Sequence, residues 1–159
     1  MKFNSALRNF VLVLFSTLLI SACSTAKKAS VDTVDDVYTG TDTVEYLAKG
    51  VPDRVFFATN KSKLTTISRD TLRKQATFLR KNKDVTVTLE GHADERGTRE
   101  YNLALGERRA NAAKDYLMTY GVSGKRMTVI SYGKEKPVNP ASTPLAWSQN
   151  RRSVTVKTN

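Results

Sequence analysis

The sequence predicts one α+β domain, a two-layer sandwich in which helices cover a mixed sheet of about four strands. From about residue 51 onward, short runs rich in β-branched and aromatic residues alternate with longer segments whose apolar residues recur at helical spacing. The chain has 159 residues, of which 40% are hydrophobic, and this length suits one domain with short extensions. The expected order of elements is βαβαβ(α)β.

The first half of the predicted domain contains a strand, a helix and a second strand. Residues 54–58 (RVFFA) are β-branched and aromatic, which favours a strand. Residues 65–82 place apolar side chains at near-helical spacing with Arg and Lys between them, which predicts an amphipathic helix. Residues 85–90 alternate between apolar and polar side chains, so we expect a half-buried strand that ends at Gly91.

The second half of the domain is predicted to contribute two helices and two strands. Residues 100–120 carry an apolar stripe, and Gly121 follows at a position where helices commonly end in glycine. Residues 127–132 and 153–157 are predicted strands. Between them, Pro144–Asn150 is predicted to be a short helix, because proline is favoured in the first turn of a helix.

The N-terminal residues have the features of an export signal. Lys2 and Arg8 precede an apolar run at 10–20, which is shorter than the roughly 20 residues that a membrane-spanning helix needs. The run is followed by small residues and then by Cys23, the only cysteine of the chain. This pattern resembles the lipobox of bacterial lipoproteins, in which the signal is removed before the cysteine and the cysteine is acylated.

Three regions follow from this pattern. We expect a lipoprotein signal peptide at 1–22, an acylated Cys23 with a flexible tether at 23–50, and a folded domain at 51–159. The tether is rich in Ser, Thr, Lys and Asp and has no sustained period. Ser24 stands where an aspartate would resemble an inner-membrane retention signal, so we expect a lipid-anchored protein of the outer membrane whose domain faces the periplasm.

The chain is strongly basic, with a formal net charge of +11 from 26 Lys and Arg against 15 Asp and Glu. Removal of the predicted signal takes away Lys2 and Arg8 and no acidic residue, so the basic character belongs to the exported part. Such a charge favours an anionic partner, whether nucleic acid, anionic lipid or a cell-wall polymer. The export signal and the lack of aromatic residues within the basic stretches argue against nucleic acid.

The most informative segment is residues 91–116 (GHADERGTREYNLALGERRANAAKDY). It resembles the C-terminal peptidoglycan-binding domain family of outer-membrane protein A, and residues 131–137 (SYGKEKP) and 150–154 (NRRSV) extend the resemblance to about residues 51–157. The resemblance implies the OmpA-like fold and a domain that binds peptidoglycan non-covalently and is not an enzyme. For an outer-membrane lipoprotein it also implies work with the Tol proteins of the envelope, notably TolB, in envelope integrity and cell division.

Four residues of this segment are predicted to line one shallow ligand cleft. Asp94 lies in a glycine-containing loop just past a predicted strand. Asn102 and Arg109 are seven residues apart in the following helix, and seven steps of about 100° bring both to one face, with Leu105 close by. A carboxylate and a guanidinium held a few ångströms apart are complementary to a zwitterion. The resemblance implies that this zwitterion is the meso-diaminopimelate of the peptidoglycan stem peptide, with Asp94 taking its ammonium and Arg109 its carboxylate.

Asn60 (FFATNKS) is a departure from the family, which usually has an aspartate shortly after the aromatic residues of the first strand. An amide can donate and accept hydrogen bonds but supplies no charge to a ligand ammonium. We therefore include Asn60 in the predicted site as an uncharged contact.

The sequence alone leaves other interpretations of these residues open. An ordinary solvated ion pair between Asp94 and Arg109 is one, and a bond from Asn102 to the loop backbone is another. A peptidoglycan hydrolase would use Asp94 and Glu95 as its carboxylate pair. Adjacent loop residues are poorly placed to flank a bond, however, and nearby arginines would hold both carboxyl groups ionised.

We predict no metal site and no cofactor. His92, the only histidine, has no Cys or second His nearby, which favours a hydrogen-bonded loop histidine over a metal ligand. Arg151 and Arg152 are expected to hold the last strand to neighbouring carboxylates, and a place for one of them in the lining of the cleft is left open. We expect Asp94→Ala and Arg109→Ala to abolish most peptidoglycan binding while leaving the fold intact.

Overall fold

The computed structural model of the protein describes residues 36–159. The predicted signal peptide, Cys23 and the tether up to residue 35 lie outside the described residues. The strands are β1 (Tyr46–Ala48), β2 (Val51–Pro52), β3 (Arg54–Phe56), β4 (Val87–His92), β5 (Met127–Gly133) and β6 (Arg152–Lys157). The helices are α1 (Thr66–Lys81), α2 (Arg99–Thr119) and α3 (Pro144–Asn150), and Gly124–Arg126 forms a short 3-10 turn.

The main sheet has four strands in the order β3, β6, β4 and β5. β6 runs antiparallel to both β3 and β4, whereas β4 and β5 are parallel, so the sheet is mixed. β1 and β2 form a separate antiparallel hairpin. This architecture confirms the predicted α+β fold, and the predicted helices and main strands agree with the observed ones to about two residues at each end.

α1 and α2 pack on the sheet and enclose the main hydrophobic core. Its most deeply buried members include Phe57, Leu72, Leu79, Leu89 and Leu117. Removing apolar surface from water stabilises a fold by about 25 cal/mol per Å², so this cluster holds the two layers together. Within residues 36–159, no helix combines the length and the apolar character that crossing a membrane requires.

Local hydrogen bonds define the ends of the two long helices. Thr65 caps α1 and Thr98 caps α2, each through a side-chain oxygen that accepts the backbone N–H three residues later, at 3.1 and 3.2 Å. After α2 the chain turns at Gly121, which has a left-handed φ of 81°. Its N–H donates to the Met118 carbonyl at 2.9 Å. The predicted glycine at the end of this helix is therefore confirmed.

The end of the predicted tether is packed against the domain, which corrects the expectation of a flexible segment up to residue 50. Val37 and Tyr38 are buried, and the Tyr38 ring meets Phe56 edge-on with 4.8 Å between ring centroids. Leu47 in β1 is also buried. These apolar residues stand in groups of two or three without a sustained period, so the sequence pattern did not predict their burial.

Candidate functional site

Asp94 lies two residues after β4, at the end of the sheet where α2 begins, and its side chain is only 9% exposed. Arg96 binds it three times: the backbone N–H and Nε reach Oδ1 at 3.2 Å each, and Nη2 reaches Oδ2 at 2.7 Å. Burial alone would raise the pKa of Asp94, but the hydrogen bonds and the positive charge of Arg96, with a further bond from Arg151, outweigh burial and lower that pKa. Asp94 is therefore ionised at neutral pH.

Arg151 is a second cationic partner of Asp94. Its Nε donates to the Phe57 carbonyl at 3.0 Å, its Nη1 to Asp94 Oδ2 at 3.3 Å, and its Nη2 lies 2.9 Å from Asp36 Oδ1. The Arg151 side chain is 1% exposed. The expectation that Arg151 binds neighbouring carboxylates is confirmed, and the sequence did not indicate that one of them is Asp36. Arg152 was expected to do the same, but its guanidinium donates to the backbone carbonyls of Asn150 and Lys136.

Arg109 is fully buried, and backbone carbonyl groups bind its guanidinium. Nε donates to the Lys61 carbonyl at 2.9 Å, Nη1 to that of His92 at 2.8 Å, and Nη2 to that of Ala58 at 3.2 Å. Burial, followed by the positive charge of Arg151, lowers the pKa of Arg109 to about 10, so the group is still cationic at neutral pH. Arg109 thereby ties the loop between β3 and α1 to the end of β4.

This burial changes the expectation for Arg109→Ala. Three carbonyl groups would lose a charged donor, and each buried group left unsatisfied costs about 1–3 kcal/mol. The substitution would therefore weaken the fold as well as the site. Within residues 36–159, Asp94 and Arg109 form no ion pair, although the Asp94 charge helps to raise the Arg109 pKa and so acts on it at longer range.

Asn102 and Leu105 are buried on α2, at 2% and 3% exposure, like Arg109. The spacing argument that placed the three residues on one helix face therefore agrees with the structure. Asn102 Nδ2 donates to the Arg96 carbonyl at 2.8 Å, so this residue holds the backbone of the loop that carries Asp94. The structural role of Asn102 is confirmed, and ligand contacts by Asn102 and Leu105 stay predictions.

Asn60 occupies a tight turn in the loop after β3. Its φ is 55°, in the left-handed region that asparagine tolerates better than most residues. The turn is closed by the Lys61 N–H, which donates to the Ala58 carbonyl at 3.2 Å, and these are two of the residues whose carbonyls hold Arg109. The Asn60 side chain is exposed, and its contact with a ligand stays a prediction.

Glu95 is exposed, and its carboxylate accepts hydrogen bonds from two side chains that lie far from it in the sequence. It accepts hydrogen bonds from Trp147 Nε1 at 2.8 Å and from Ser142 Oγ at 3.1 Å. These bonds, that of Trp147 first, lower the pKa of Glu95. Glycoside hydrolysis needs one carboxyl group with a raised pKa, whereas Asp94 and Glu95 are both shifted downward.

The sequence interpretation expected Arg96, Arg99 and Arg109 to hold the loop carboxyl groups ionised, and it did not identify the side chains that position Arg96. Arg96, which holds Asp94, lies with its guanidinium 4.4 Å from the centroid of the Trp147 ring. Arg96 Nη2 also donates to Thr59 Oγ1 at 3.3 Å. The only local signal was the position of Arg96 two residues after Asp94, because the contacts to Trp147 and Thr59 span long stretches of chain.

His92 is buried at the end of β4 and not in a loop, with 1% exposure. Both of its ring nitrogens lack a hydrogen-bond partner within the described residues. Its ring stacks on Tyr132 with 5.5 Å between centroids. The expectation of a hydrogen-bonded loop histidine is wrong. Among residues 36–159, no group of three His, Cys, Asp or Glu side chains is placed to hold a metal ion.

A cleft of about 1170 Å³ opens next to the loop between β3 and α1. Asp36, Thr59 and Lys61 line one part of it, and Leu64 and the first residues of α1 line the rest. The loop that covers Arg109 is therefore also a wall of this cleft.

Comparison with known proteins matches residues 56–151 to the OmpA family. The chain belongs to the OmpA family. The peptidoglycan-associated lipoprotein of Rhizobium meliloti is 57% identical over 106 residues, which cover 67% of this chain and 60% of that protein. This chain thus spans less than two thirds of that relative.

In two further comparisons, the match covers a larger share of the relative's own length. The peptidoglycan-associated lipoprotein of Brucella melitensis is 43% identical over 150 residues, 91% of this chain and 89% of that protein. The crystal structure of the peptidoglycan-associated lipoprotein from Burkholderia pseudomallei superposes with a TM-score of 0.65 at 36% identity, over 67% of this chain and 90% of that one. The family resemblance of residues 91–116 is therefore confirmed.

Proposed function

We propose that this domain binds peptidoglycan non-covalently by holding the meso-diaminopimelate residue of the stem peptide between Asp94 and Arg109. The observation that carries the proposal is an ionised carboxylate and a cationic guanidinium at one end of the sheet that are near each other but not paired. A ligand with one ammonium and one carboxylate matches these two charges. The relatives are named for their association with peptidoglycan, which supports the same polymer for this chain.

The ligand ammonium would take the place of Arg96 on Asp94. Arg96 is 42% exposed and Asp94 9%, so Arg96 lies on the solvent side of this pair and can swing away. Asn102 would then keep the loop backbone in place through its bond to the Arg96 carbonyl.

The ligand carboxylate would bind the unused N–H groups of Arg109. Within the described residues its three bonds use one N–H of each nitrogen, which leaves a second N–H on Nη1 and on Nη2. Hydrogen bonds between charged groups are roughly twice as strong as neutral ones. Because Arg109 has no exposed surface, the loop between β3 and α1 must open for this contact, and Asn60 and Leu105 are proposed to complete it.

The same charges favour binding over hydrolysis of the wall. A general acid must be protonated near neutral pH, whereas the pKa values of Asp94 and Glu95 are both lowered. We therefore propose that the protein is not an enzyme. Incubation with isolated sacculi should release no soluble muropeptides, and release above the level of a buffer blank would favour the hydrolase alternative.

Sedimentation with isolated sacculi tests the site. The full chain in detergent should pellet with sacculi and stay soluble without them. Asp94→Asn keeps the shape of the side chain and removes its charge, and should pellet at about a tenth of the parent level or less. Glu95→Gln is the matched control, because it removes the neighbouring charge while its amide oxygen can still accept from Trp147. Equal pelleting of Asp94→Asn and the parent would refute the assignment.

We further propose that acylated Cys23 anchors the protein in the outer membrane, with the domain in the periplasm. The lipobox-like sequence before Cys23 and the lipoprotein names of the relatives support this. Cys23→Ser should fail to incorporate labelled palmitate and should leave the membrane fraction. Incorporation at the parent level would contradict the anchor.

The family resemblance also supports a place in the Tol system, with TolB as a partner whose binding surface overlaps that used for the wall. Such overlap predicts competition: purified TolB should displace the chain from sacculi in proportion to its concentration. Binding of TolB to chain that stays on sacculi would exclude a shared surface.

A further inference from the structure

Five side chains form a closed ring of hydrogen bonds around the proposed site. Arg96 Nη2 donates to Asp94 Oδ2 at 2.7 Å and to Thr59 Oγ1 at 3.3 Å, and Thr59 in turn donates to Asp36 Oδ2. Arg151 closes the ring, with Nη2 2.9 Å from Asp36 Oδ1 and Nη1 3.3 Å from Asp94 Oδ2. Two carboxylates thus alternate with two guanidinium groups, and the charges of the ring cancel.

Asp36 differs from the other charged members of the ring in two respects. It precedes the part of the chain that matches the family, residues 56–151, which contains Asp94, Arg96 and Arg151. Its side chain is also the most exposed of the four, at 53% against 42% for Arg96, 9% for Asp94 and 1% for Arg151. Asp36 therefore lies on the solvent side of Arg151 and is supplied by the segment predicted as a tether.

Within the described residues, every nitrogen of the Arg151 guanidinium makes a hydrogen bond, and Asp36 takes both N–H groups of Nη2. Nε is bound to the Phe57 carbonyl, Nη1 to Asp94, and Nη2 to both the main-chain and the side-chain oxygens of Asp36. A ligand carboxylate that reaches Nη2 must therefore first displace Asp36. The two groups are chemically equivalent, since each is a carboxylate that accepts from a guanidinium.

We propose that Asp36 is an intramolecular competitor that occupies the place of a ligand carboxylate on Arg151 and so sets the affinity of the site. The proposal rests on the proposed function, because it takes an anionic stem peptide as the ligand. It adds Arg151 as a second cation for the ligand, since diaminopimelate and the neighbouring glutamate of the stem peptide supply more than one carboxylate. It also brings Asp36, which precedes the part of the chain that matches the family, into the binding site.

The substitution Asp36→Asn isolates the charge of the competitor. Asparagine suits the left-handed φ of 56° at this position, and its amide oxygen can still accept from Thr59. The backbone carbonyl that accepts from Arg151 is unchanged. Asp42→Asn is the matched control: it makes the same change of charge in the same segment, and its amide oxygen can still accept from Gln149 Nε2, which lies 3.0 Å from Asp42 Oδ2.

Titration calorimetry of the full chain in detergent with the tripeptide L-alanyl-γ-D-glutamyl-meso-diaminopimelate tests the proposal. Asp36→Asn should bind about three- to tenfold more tightly than the parent, and Asp42→Asn should bind like the parent. Two tripeptides, each amidated at a different one of the two diaminopimelate carboxyls, have one carboxylate fewer, and the gain from Asp36→Asn should shrink with the one that lacks the carboxylate bound by Arg151.

The outcomes separate the two proposals. Binding of the parent with equal or weaker binding of Asp36→Asn would overturn the competitor and leave the proposed function standing. An equal gain in Asp42→Asn would show a general effect of charge and would also overturn it. Binding by Asp36→Asn alone would support both proposals. Absence of heat with the parent and with every variant would contradict both the competitor role of Asp36 and the proposed function.

Discussion

Gly91 in β4 and Gly106 in α2 touch through their backbones. A Cβ on Gly91 would overlap the Gly106 carbonyl group, and one on Gly106 would lie 2.9 Å from the Gly91 carbonyl oxygen. Because neither residue has a side chain, α2 lies directly on the strand that leads to Asp94. This close approach places Arg109, three residues after Gly106, against the carbonyl of His92, the residue after Gly91.

Gly91→Ala should destabilise the protein by about 3 kcal/mol or more, because backbone atoms cannot move aside as a flexible side chain can. Denaturant unfolding measures the loss. Gly124→Ala is the control, since its Cβ would meet only the flexible Met118 side chain, at 3.3 Å from the sulfur. A loss below about 1 kcal/mol for Gly91→Ala would show that the helix can shift outward.

Arg109→Lys should cost about 2–4 kcal/mol of folding stability even though the charge is kept. A lysine has a single nitrogen and cannot serve three carbonyl groups on two separate segments in the way that a planar guanidinium does. The free energy of unfolding from denaturant titration checks this. An unfolding free energy within about 0.5 kcal/mol of the parent would mean that the charge, and not the three bonds, matters at this position.

Arg126 offers a comparison with Arg109 at the opposite end of the sheet. Its guanidinium donates to the carbonyls of Leu79 at 2.9 Å, Asn82 at 2.7 Å and Val85 at 3.0 Å, which joins the end of α1 to the approach to β4. Arg126→Ala should therefore lower the unfolding free energy by about 2 kcal/mol and leave sacculus binding of the folded protein unchanged. A binding defect at temperatures well below unfolding would contradict the assignment of the site to the Asp94 end.

The sequence predicted the elements and the main motif residues because both depend on short-range patterns. In the helix that carries Asn102 and Arg109, the predicted stripe residues Ala110, Ala113 and Leu117 are buried, and a glycine follows the helix. The position of this helix could therefore be predicted from the sequence. The burial of Arg109 could not be predicted in this way. Arginine is rarely buried, and what allows it here is a set of carbonyl groups about 17 to 51 residues away in the chain.

The partners of Asp94 were harder to predict than Asp94 itself. Arg151 lies 57 residues from Asp94, and Asp36 lies 115 residues from Arg151, so no local pattern joins them. The hairpin β1–β2 was missed because its strands have only three and two residues. The burial of Leu47 in this hairpin, like that of Val37 and Tyr38, is decided by tertiary contacts and not by a local pattern.

The ionisation of His92 makes the protein sensitive to acid. Burial, and then the positive charges of Arg152, Lys136 and Arg54, lower the pKa of His92 from 6.5 to about 3. The Glu90 carboxylate lies 3.6 Å from Nε2 and would favour the charged ring, but at this distance it does not offset burial and three cations. In the unfolded chain the same ring takes up its proton near pH 6.5.

Between pH 6.5 and about 3 the unfolded state therefore binds a proton at His92 that the folded state does not, so stability falls as the pH falls. Each pH unit in this window lowers the free energy of unfolding by up to about 1.4 kcal/mol. His92 should therefore make the free energy of unfolding about 2–3 kcal/mol smaller at pH 4.5 than at pH 6.5. His92→Phe keeps a ring beside Tyr132 and loses only nitrogens that have no partner in the described residues, so its stability should change less over the same range. Asp94, whose pKa is lowered, contributes to acid sensitivity only below about pH 4, where its unfolded form takes up a proton. Urea titrations of the parent and of His92→Phe at pH 6.5 and 4.5 measure the free energy of unfolding of each. An equal loss of stability in the two proteins would show that His92 is not the group responsible.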